Sequence, residues 1–493
     1  MNKLAQLQVI IIGSGVAGLA SAVRLSALGY KVTVLEANNY LGGKLTTQTI
    51  SNYRFDMGPS VLTLPNLIEE LTEISKQTLK FEYLTRNVIC NYFYEDGTRL
   101  CAYSNKEKFA QEVATKLGET TQSVLDQLKY SATAYELTSD LFMNQSLHKL
   151  SNFLNIKTAK SILNINKLKL NKTMNEANTA RFKNKKTIQL FNRFATYNGS
   201  NPYQAPAIIN IIAHLEHNIG AFAATNGMHS ITQHLHQLGL NLGVEYKLNT
   251  RVEKIKLENN SVKGVITSNG ELAADIIVSD VDIKYLYTKL LDNTYYPTKL
   301  LEQEKSLSAL IFYWGIKKEF TELGLHNILF SENGEAEFNC MFNDKKPYND
   351  PTVYLNITSK ITKTDAPNGC ENWFVMVNVP HNASGEKITY RDEMRKNIIE
   401  KINRVLKIDI EKYIEVEDVL DPYLIEQRTS SVGGSLYGNA SNNKYAAFLR
   451  HANKSSKIKN LYFCGGSVHP GGGIPLGLLS AKITSQLISE SKK

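Results

Sequence analysis

Residues 9–36 read VIIIGSGVAGLASAVRLSALGYKVTVLE, and this stretch decides the fold. Residues 9–12 are a continuous apolar run, as expected of a parallel strand buried on both faces. Gly13, Gly15 and Gly18 then give G-x-G-x-x-G where the strand should turn into a helix. Residues 17–28 carry apolar side chains at helical spacing, and Gly29 stands in the usual post-helix position. Residues 31–35 read as a second strand, ending on Glu36. Gly13 permits the tight turn, Gly15 lets backbone N–H groups approach a pyrophosphate, and Gly18 lets the helix pack close to the strand. Glu36 can hold a ribose 2′-hydroxyl. With a strand before it, a helix after it and an acid closing the next strand, the motif predicts a dinucleotide site.

Beyond Glu36, a second glycine pair, Gly42-Gly43, precedes Lys44, whose ammonium could reach a phosphate or ribose. Residues 461–475 repeat the theme: a strand, LYFC, runs into Gly465-Gly466, then SVHPGGGIP, with a helix expected over 476–488. A second helix N-terminus would bring more N–H groups to the same ligand. An NAD site needs one such unit. Two of them, with Glu36 and the second glycine pair, favour extended FAD.

A chain of 493 residues is too long for one core. Its hydrophobic fraction of 42% and mean hydropathy of −0.26 describe a soluble globular protein, and no apolar run is long enough to span a bilayer. The N-terminal apolar segment belongs to the nucleotide unit and is not a signal peptide. Five scattered cysteines, with no C-x-x-C pair, fit a reducing compartment and give no metal signature. Charge is uneven. Residues 147–193 hold eleven Lys/Arg against the single acid Glu176, more than the whole chain's net +9. Interleaved apolar residues make this stretch either a lysine-rich helical surface or a segment lying on an anionic leaflet. It lacks the aromatic stacking series of a nucleic-acid binder.

The expected fold is α/β: a Rossmann-type FAD-binding domain, a mixed-sheet substrate domain and a helical insert. The FAD-binding domain takes residues 1–75, 205–284 and 428–493, and the substrate domain 76–104 and 285–427. The basic, membrane-facing insert takes 105–204. Helices are expected over 65–75, 207–218, 231–238 (closed by Gly239) and 390–406. Strands are expected over 81–103, 244–248, 252–257, 261–268, 276–278, 309–315, 353–358 and 373–379. His214 and His217 share a helix face with Glu216 nearby, but no third ligand is in view, so no metal is expected.

GSGVAGLASAVRLSALGYKVTVLEANNYLGGKL (13–45) resembles the flavin-binding start of the amine-oxidase and phytoene-desaturase superfamily. TYNGSNPYQAPA (196–207) and LYFCGGSVHPGGGIPLGLLSAKI (461–483) look like bacterial carotenoid desaturases of phytoene-desaturase type. The resemblance covers nearly the whole chain, weakest in the basic insert and in residues 287–420. Where phytoene desaturases tend to read Gly-Ala-Gly-Thr-His-Pro-Gly-Ala-Gly-Ile-Pro-Gly, this chain has Gly-Gly-Ser-Val-His-Pro and Pro-Leu. With SLYGNASNNKYAAFLRH (435–451) and SALIFYWGIKKEF (308–320), it is more similar to the branch that desaturates 1-hydroxycarotenoids at C3–C4. Carried over, the resemblance implies FAD contacts at Gly13, Gly15, Ala17, Gly18, Glu36, Gly43, Lys44, Pro59 and Ser60. It also implies Val252 (through its backbone to the adenine), Asp280, Leu436, Gly466, Gly473 and Ile474.

That family implies a bilayer-dwelling carotenoid substrate, which favours the membrane-surface reading of 147–193. The protein would sit peripherally at the cytoplasmic face of the membrane, with oxygen or a quinone as electron acceptor and no nucleic-acid partner. Hydride loss from C4 would leave a cation spread along the polyene, and C3–H would then need only a weak base. No triad or carboxylate dyad is expected, and no catalytic residue is singled out. A tertiary hydroxyl calls for a polar partner in the tunnel; Tyr197, Asn198, Tyr203, Gln204 and His469 are the candidates. Rival functions are a phytoene or diapophytoene desaturase, another flavin oxidase, or a non-catalytic prenyl-lipid escort protein.

Overall fold

Val9 and Ile11 face one apolar core and Ile10 and Ile12 another, so the first strand is buried on both sides, as its unbroken run requires. In the computed structural model, which describes residues 7–149, 164, 168–443, 445 and 450–491, this strand (Gln8–Ile12) sits at the centre of a five-stranded parallel sheet. Across that sheet the order is Leu461–Phe463, Ile276–Ser279, Gln8–Ile12, Lys31–Leu35 and Glu245–Lys247. Ile10 stands opposite Ile277 on one side and Thr33 on the other. The first helix, Val16–Ala27, packs against the C-terminal helix, Ile474–Glu490, through Leu19, Ala20 and Val23 against Leu478, Leu479 and Ala481. The strand–glycine–helix units from the two ends of the sequence therefore lie side by side.

A three-stranded antiparallel sheet (Val252–Glu258, Ser261–Thr267 and Gly270–Ala273) covers one end of this layer. The largest sheet is mixed and has seven strands. Ser308–Ile316, Glu371–Val379, Val353–Ile357 and His326–Leu329 form its middle, Ile414–Leu420 one edge, and Val88–Phe93 with Arg99–Tyr103 the other. Alternation divides its two faces. Leu310, Phe312, Trp314, Val375 and Val377 pack under the helix Arg391–Leu406, whereas Ala309, Ile311, Phe374 and Met376 turn toward a large cavity. Helices Lys106–Leu117, Thr121–Phe142 and Lys185–Asn192 build the adjoining wall around Phe109, Phe191 and Phe194.

Three expectations change. The helix expected to close at Gly239 runs from Ser230 to Asn241. Gly239 is a contact residue there: a Cβ on it would come 2.0 Å from the Tyr246 hydroxyl, and the left-handed turn falls on Gly243 instead. The helix expected over 207–218 is helical but changes pitch, from 3-10 (Ala207–Ile211) through one α turn to a π segment (Leu215–Ile219). The strands His326–Leu329 and Ile414–Leu420 and the helix Pro422–Thr429 were not anticipated. Residues 150–163 and 165–167 of the basic stretch lie outside the described residues. Among its described cations, Lys149 pairs with Glu490, Lys186 with Asp96, and Arg193 is buried with Glu216. No helix among the described residues is long and apolar enough to cross a membrane.

Candidate flavin and substrate site

One cavity of about 790 Å³ runs from the glycine turns at the ends of the parallel strands to the inner face of the seven-stranded sheet. Fourteen of the fifteen residues expected to contact a flavin line it; Gly18 alone does not. Gly18 lies just behind the wall, where its N–H donates to Asp280 Oδ2 at 2.9 Å and a Cβ would come 2.3 Å from the Gly13 carbonyl oxygen. Its role in this structure is the close packing of helix on strand.

Neither helix N-terminus that faces the cavity is capped by its own N-cap side chain. Gly15 begins Val16–Ala27 and Gly473, with φ +103°, begins Ile474–Glu490; neither offers a side-chain acceptor. Two helix N-termini without an N-cap acceptor, facing one cavity, fit a pyrophosphate-bearing ligand. Glu36 is buried at the end of the second strand. Ser14 donates to its Oε2 through both N–H (3.0 Å) and Oγ (2.6 Å), and Asn38 donates to Oε1 through N–H and Nδ2, both at 2.9 Å. The carboxylate is thus held in place, and a ribose hydroxyl would bond to it as a further partner or in exchange for the rotatable Ser14 hydroxyl. Val252, with Thr250 and Arg251, lines the cavity beyond Glu36, where the resemblance expects an adenine.

Lys44 is half-buried, and its ammonium donates to the carbonyls of Ser435 (3.0 Å) and Leu436 (3.2 Å), tying the Gly42-Gly43 turn to the 435–451 segment. Burial pulls it down to about 8, opposed by the nearby carboxylates of Asp282 and Asp280. Asp280 moves the other way: burial pushes its carboxyl up to about 7, against the Gly18 N–H bond. Its Oδ2 fills the space beside Gly15, where a Cβ would come within 2.4 Å. Arg450, within the 435–451 motif but not singled out there, ties that segment to the second glycine loop by donating to the carbonyls of Tyr437, Asn439 and Gly466. The donor set and the glycine cradle fit FAD.

Past Pro59 and Ser60 the lining becomes largely apolar, with Leu168, Leu170, Ile208, Ile212, Phe374 and Met376 among its residues. Of the polar candidates for a substrate hydroxyl, Tyr197, Asn198 and Tyr203 line this part. Gln204 is exposed and off the wall. His469 is buried behind it, bonded through Nε2 to the Gln145 carbonyl at 2.8 Å and lowered to about 4 by burial. His214 and His217, raised above as metal ligands, serve packing: His217 stacks on Phe109 with ring centroids 4.2 Å apart, and His214 lies over Tyr135. Glu216 turns instead to Arg193 and Tyr197. Sequence reasoning missed this pairing, because Glu216 was read only with its helical neighbours.

Residues 16–489 match the family described as flavin containing amine oxidoreductase. A 1-hydroxycarotenoid 3,4-desaturase of Flavobacterium sp. (strain P99-3) is 50% identical over 480 residues, 97% of this chain and 98% of that one. A 4,4'-diaponeurosporene oxygenase of Staphylococcus aureus (strain MRSA252) is 30% identical over 490 residues, 98% of each chain. Among solved structures, wild-type putrescine oxidase bound to putrescine superposes with a TM-score of 0.66 at 14% identity, covering 98% of this chain and 99% of that one. Cyclohexylamine oxidase from Brevibacterium oxydans IH-35A gives 0.65 at 14%, covering 99% of both chains. At such identities the structural likeness speaks to fold alone.

Proposed function

Because the chain belongs to the flavin containing amine oxidoreductase family, we propose that it is an FAD-dependent carotenoid desaturase that introduces a C3–C4 double bond into a 1-hydroxycarotenoid. The observation that carries this reading is the continuity of one cavity from a glycine-rich cradle into a largely apolar chamber. Glu36, Lys44, Asp280 and the turns at Gly13–Gly15 and Gly466–Gly473 would hold FAD. When bound, the cofactor supplies the two-electron acceptor for the carbon–hydrogen bonds of the substrate. The side chains then orient the polyene and keep water from it. Ile208, Ile212, Phe374 and Met376 offer an apolar, shape-selective surface, and no histidine or cysteine among the described residues reaches the wall.

In this reading residues 1–75, 205–284 and 428–493 carry the cofactor, 76–104 and 285–427 roof the substrate, and 105–204 face the membrane. The substrate dissolves in a bilayer, so the protein works peripherally at the cytoplasmic face and passes electrons to oxygen or a quinone. Leu168 and Leu170, midway along the basic stretch, line the cavity and would lead the polyene from the leaflet inward.

The test is incubation of the FAD-loaded protein with a 1-hydroxycarotenoid or with phytoene in liposomes. One added double bond, seen as a red shift of the hydroxycarotenoid spectrum, supports the reading. Efficient conversion of phytoene instead would make the chain a general phytoene desaturase.

A further inference from the structure

An ion pair in an apolar cavity wall needs a reason, because desolvating two charges is expensive. Arg193 and Glu216 both line the cavity, 8% and 1% exposed. Glu216 Oε1 accepts the Tyr197 hydroxyl hydrogen. Its Oε2 lies 3.7 Å from Arg193 Nη2 and has no hydrogen-bond partner. Arg193 donates from Nη2 to the Tyr92 hydroxyl at 2.7 Å and from Nη1 to the Tyr197 hydroxyl at 3.3 Å, while its Nε–H has no partner. One buried acceptor and one buried donor therefore stand unpaired on adjacent side chains. Burial pushes the Glu216 carboxyl up, with Arg193 opposing. An alcohol supplies what both atoms lack: an O–H to donate and lone pairs to accept.

The position is also right for chemistry at C3–C4. A small side cavity lined by Arg193, Tyr197, Glu216, His326 and Tyr354 joins this pair to the Ser60 loop. There the Tyr354 hydroxyl is hydrogen-bonded to Ser60 Oγ and His326 Nδ1, each at 2.7 Å. Ser60 is one of the residues assigned to the flavin, so the polar group borders the place where the reacting carbons must lie. In a 1-hydroxycarotenoid the carbinol carbon is two bonds from C3.

We propose that Glu216 and Arg193 bind the tertiary hydroxyl of the substrate, Glu216 Oε2 accepting from the O–H and Arg193 Nε–H donating to its oxygen. Tyr197 and Tyr92 are positioning residues that hold the pair. The assignment rests on the 1-hydroxycarotenoid reading and names the residues that give that site its selectivity.

The test compares a 1-hydroxycarotenoid with its dehydroxy counterpart, using full-length FAD-loaded protein. The wild type should favour the hydroxylated substrate at least about tenfold in kcat/KM, the selectivity a pocket gains by pairing a buried hydroxyl. The double variant Arg193→Met/Glu216→Leu replaces the ion pair with apolar side chains, an exchange proteins often tolerate. It should lose the preference by raising KM for the hydroxylated substrate alone, and it should bind both polyenes equally in a flavin-fluorescence titration. Tyr197→Phe, which removes one oxygen and no charge, should lose part of the preference and serves if the double variant does not fold. Undiminished preference in these variants, or equal slowing on both substrates, overturns the assignment. A wild type with no preference overturns the 1-hydroxycarotenoid reading itself, a separate and visible result.

Discussion

Asp280 Oδ2 accepts the amide hydrogen of Gly18 at 2.9 Å, so a carboxylate 262 residues downstream completes the first turn of the first helix. It stands beside Gly15, Gly18 and Gly465, and a Cβ on Gly15 or Gly465 would meet its oxygens at 2.4 Å. The glycines of the cradle thus make room for a buried acid as well as for a ligand.

That acid gives the apoprotein a pH dependence of known sign. Burial lifts the Asp280 carboxyl to about 7 in the folded chain, against an ordinary value of about 4 when unfolded. A group raised on folding contributes stability that is complete below about pH 4 and is lost as pH rises through about 7. The urea midpoint of the apoprotein should therefore fall between pH 5 and pH 8 more steeply in the wild type than in Asp280→Asn (about three pH units across the raised value). Parallel curves for the two proteins would remove Asp280 from this role.

Glu36→Ala should weaken FAD binding by about 1.5–3 kcal/mol, roughly tenfold to a hundredfold, through loss of a charge-assisted hydrogen bond. The same change leaves the Ser14 and Asn38 donors without their acceptor, so the loop itself loosens. Titration of the apoprotein with FAD measures it, and unchanged occupancy would take Glu36 out of the site.

The flavin should be held without a covalent bond. His469, the histidine of the second glycine motif, bonds to the Gln145 carbonyl, and no histidine or cysteine among the described residues lines the cavity. Acid precipitation should leave a colourless pellet and a yellow supernatant; colour in the pellet would contradict this.

How much of this was written in the sequence depends on how local each signal is. The first strand, glycine turn and helix were legible because apolar run, glycine spacing and helical period all fall within residues 9–36. The short edge strand Ile414–Leu420, IEVEDVL, was not, because its acids hide the alternation that pairs it with Ser308–Ile316. Gly239 misled because a glycine needed for a close approach to Tyr246 looks, in sequence, like one that ends a helix. The Arg193–Glu216 pair was out of reach for another reason: its two members stand on different helices and Tyr92 joins them from a distant strand, a meeting that no spacing rule supplies.

Membrane attachment should depend on the lysines of residues 147–193. Lys149 and Lys186 pair with Glu490 and Asp96 and are best left alone. Reversing Lys157, Lys160, Lys167 and Lys172 to Glu should release the protein from anionic vesicles and leave its flavin spectrum intact, each cation contributing about 1 kcal/mol at the surface. Binding that survives both the reversals and high salt would sink the electrostatic account.

The strand order of the parallel sheet has a consequence for biosynthesis. Leu461–Phe463 pairs with Ile276–Ser279, and Ile474–Glu490 lies against Val16–Ala27, so one wall of the cofactor cradle is missing until residues 461–490 have left the ribosome. The nascent chain must carry several hundred residues with its first glycine turn unclosed, and the loop closures that finish the sheet are among the longest in the molecule. Flavin capture accordingly waits for that segment, and a premature stop anywhere upstream of the second glycine motif should yield an unpigmented chain.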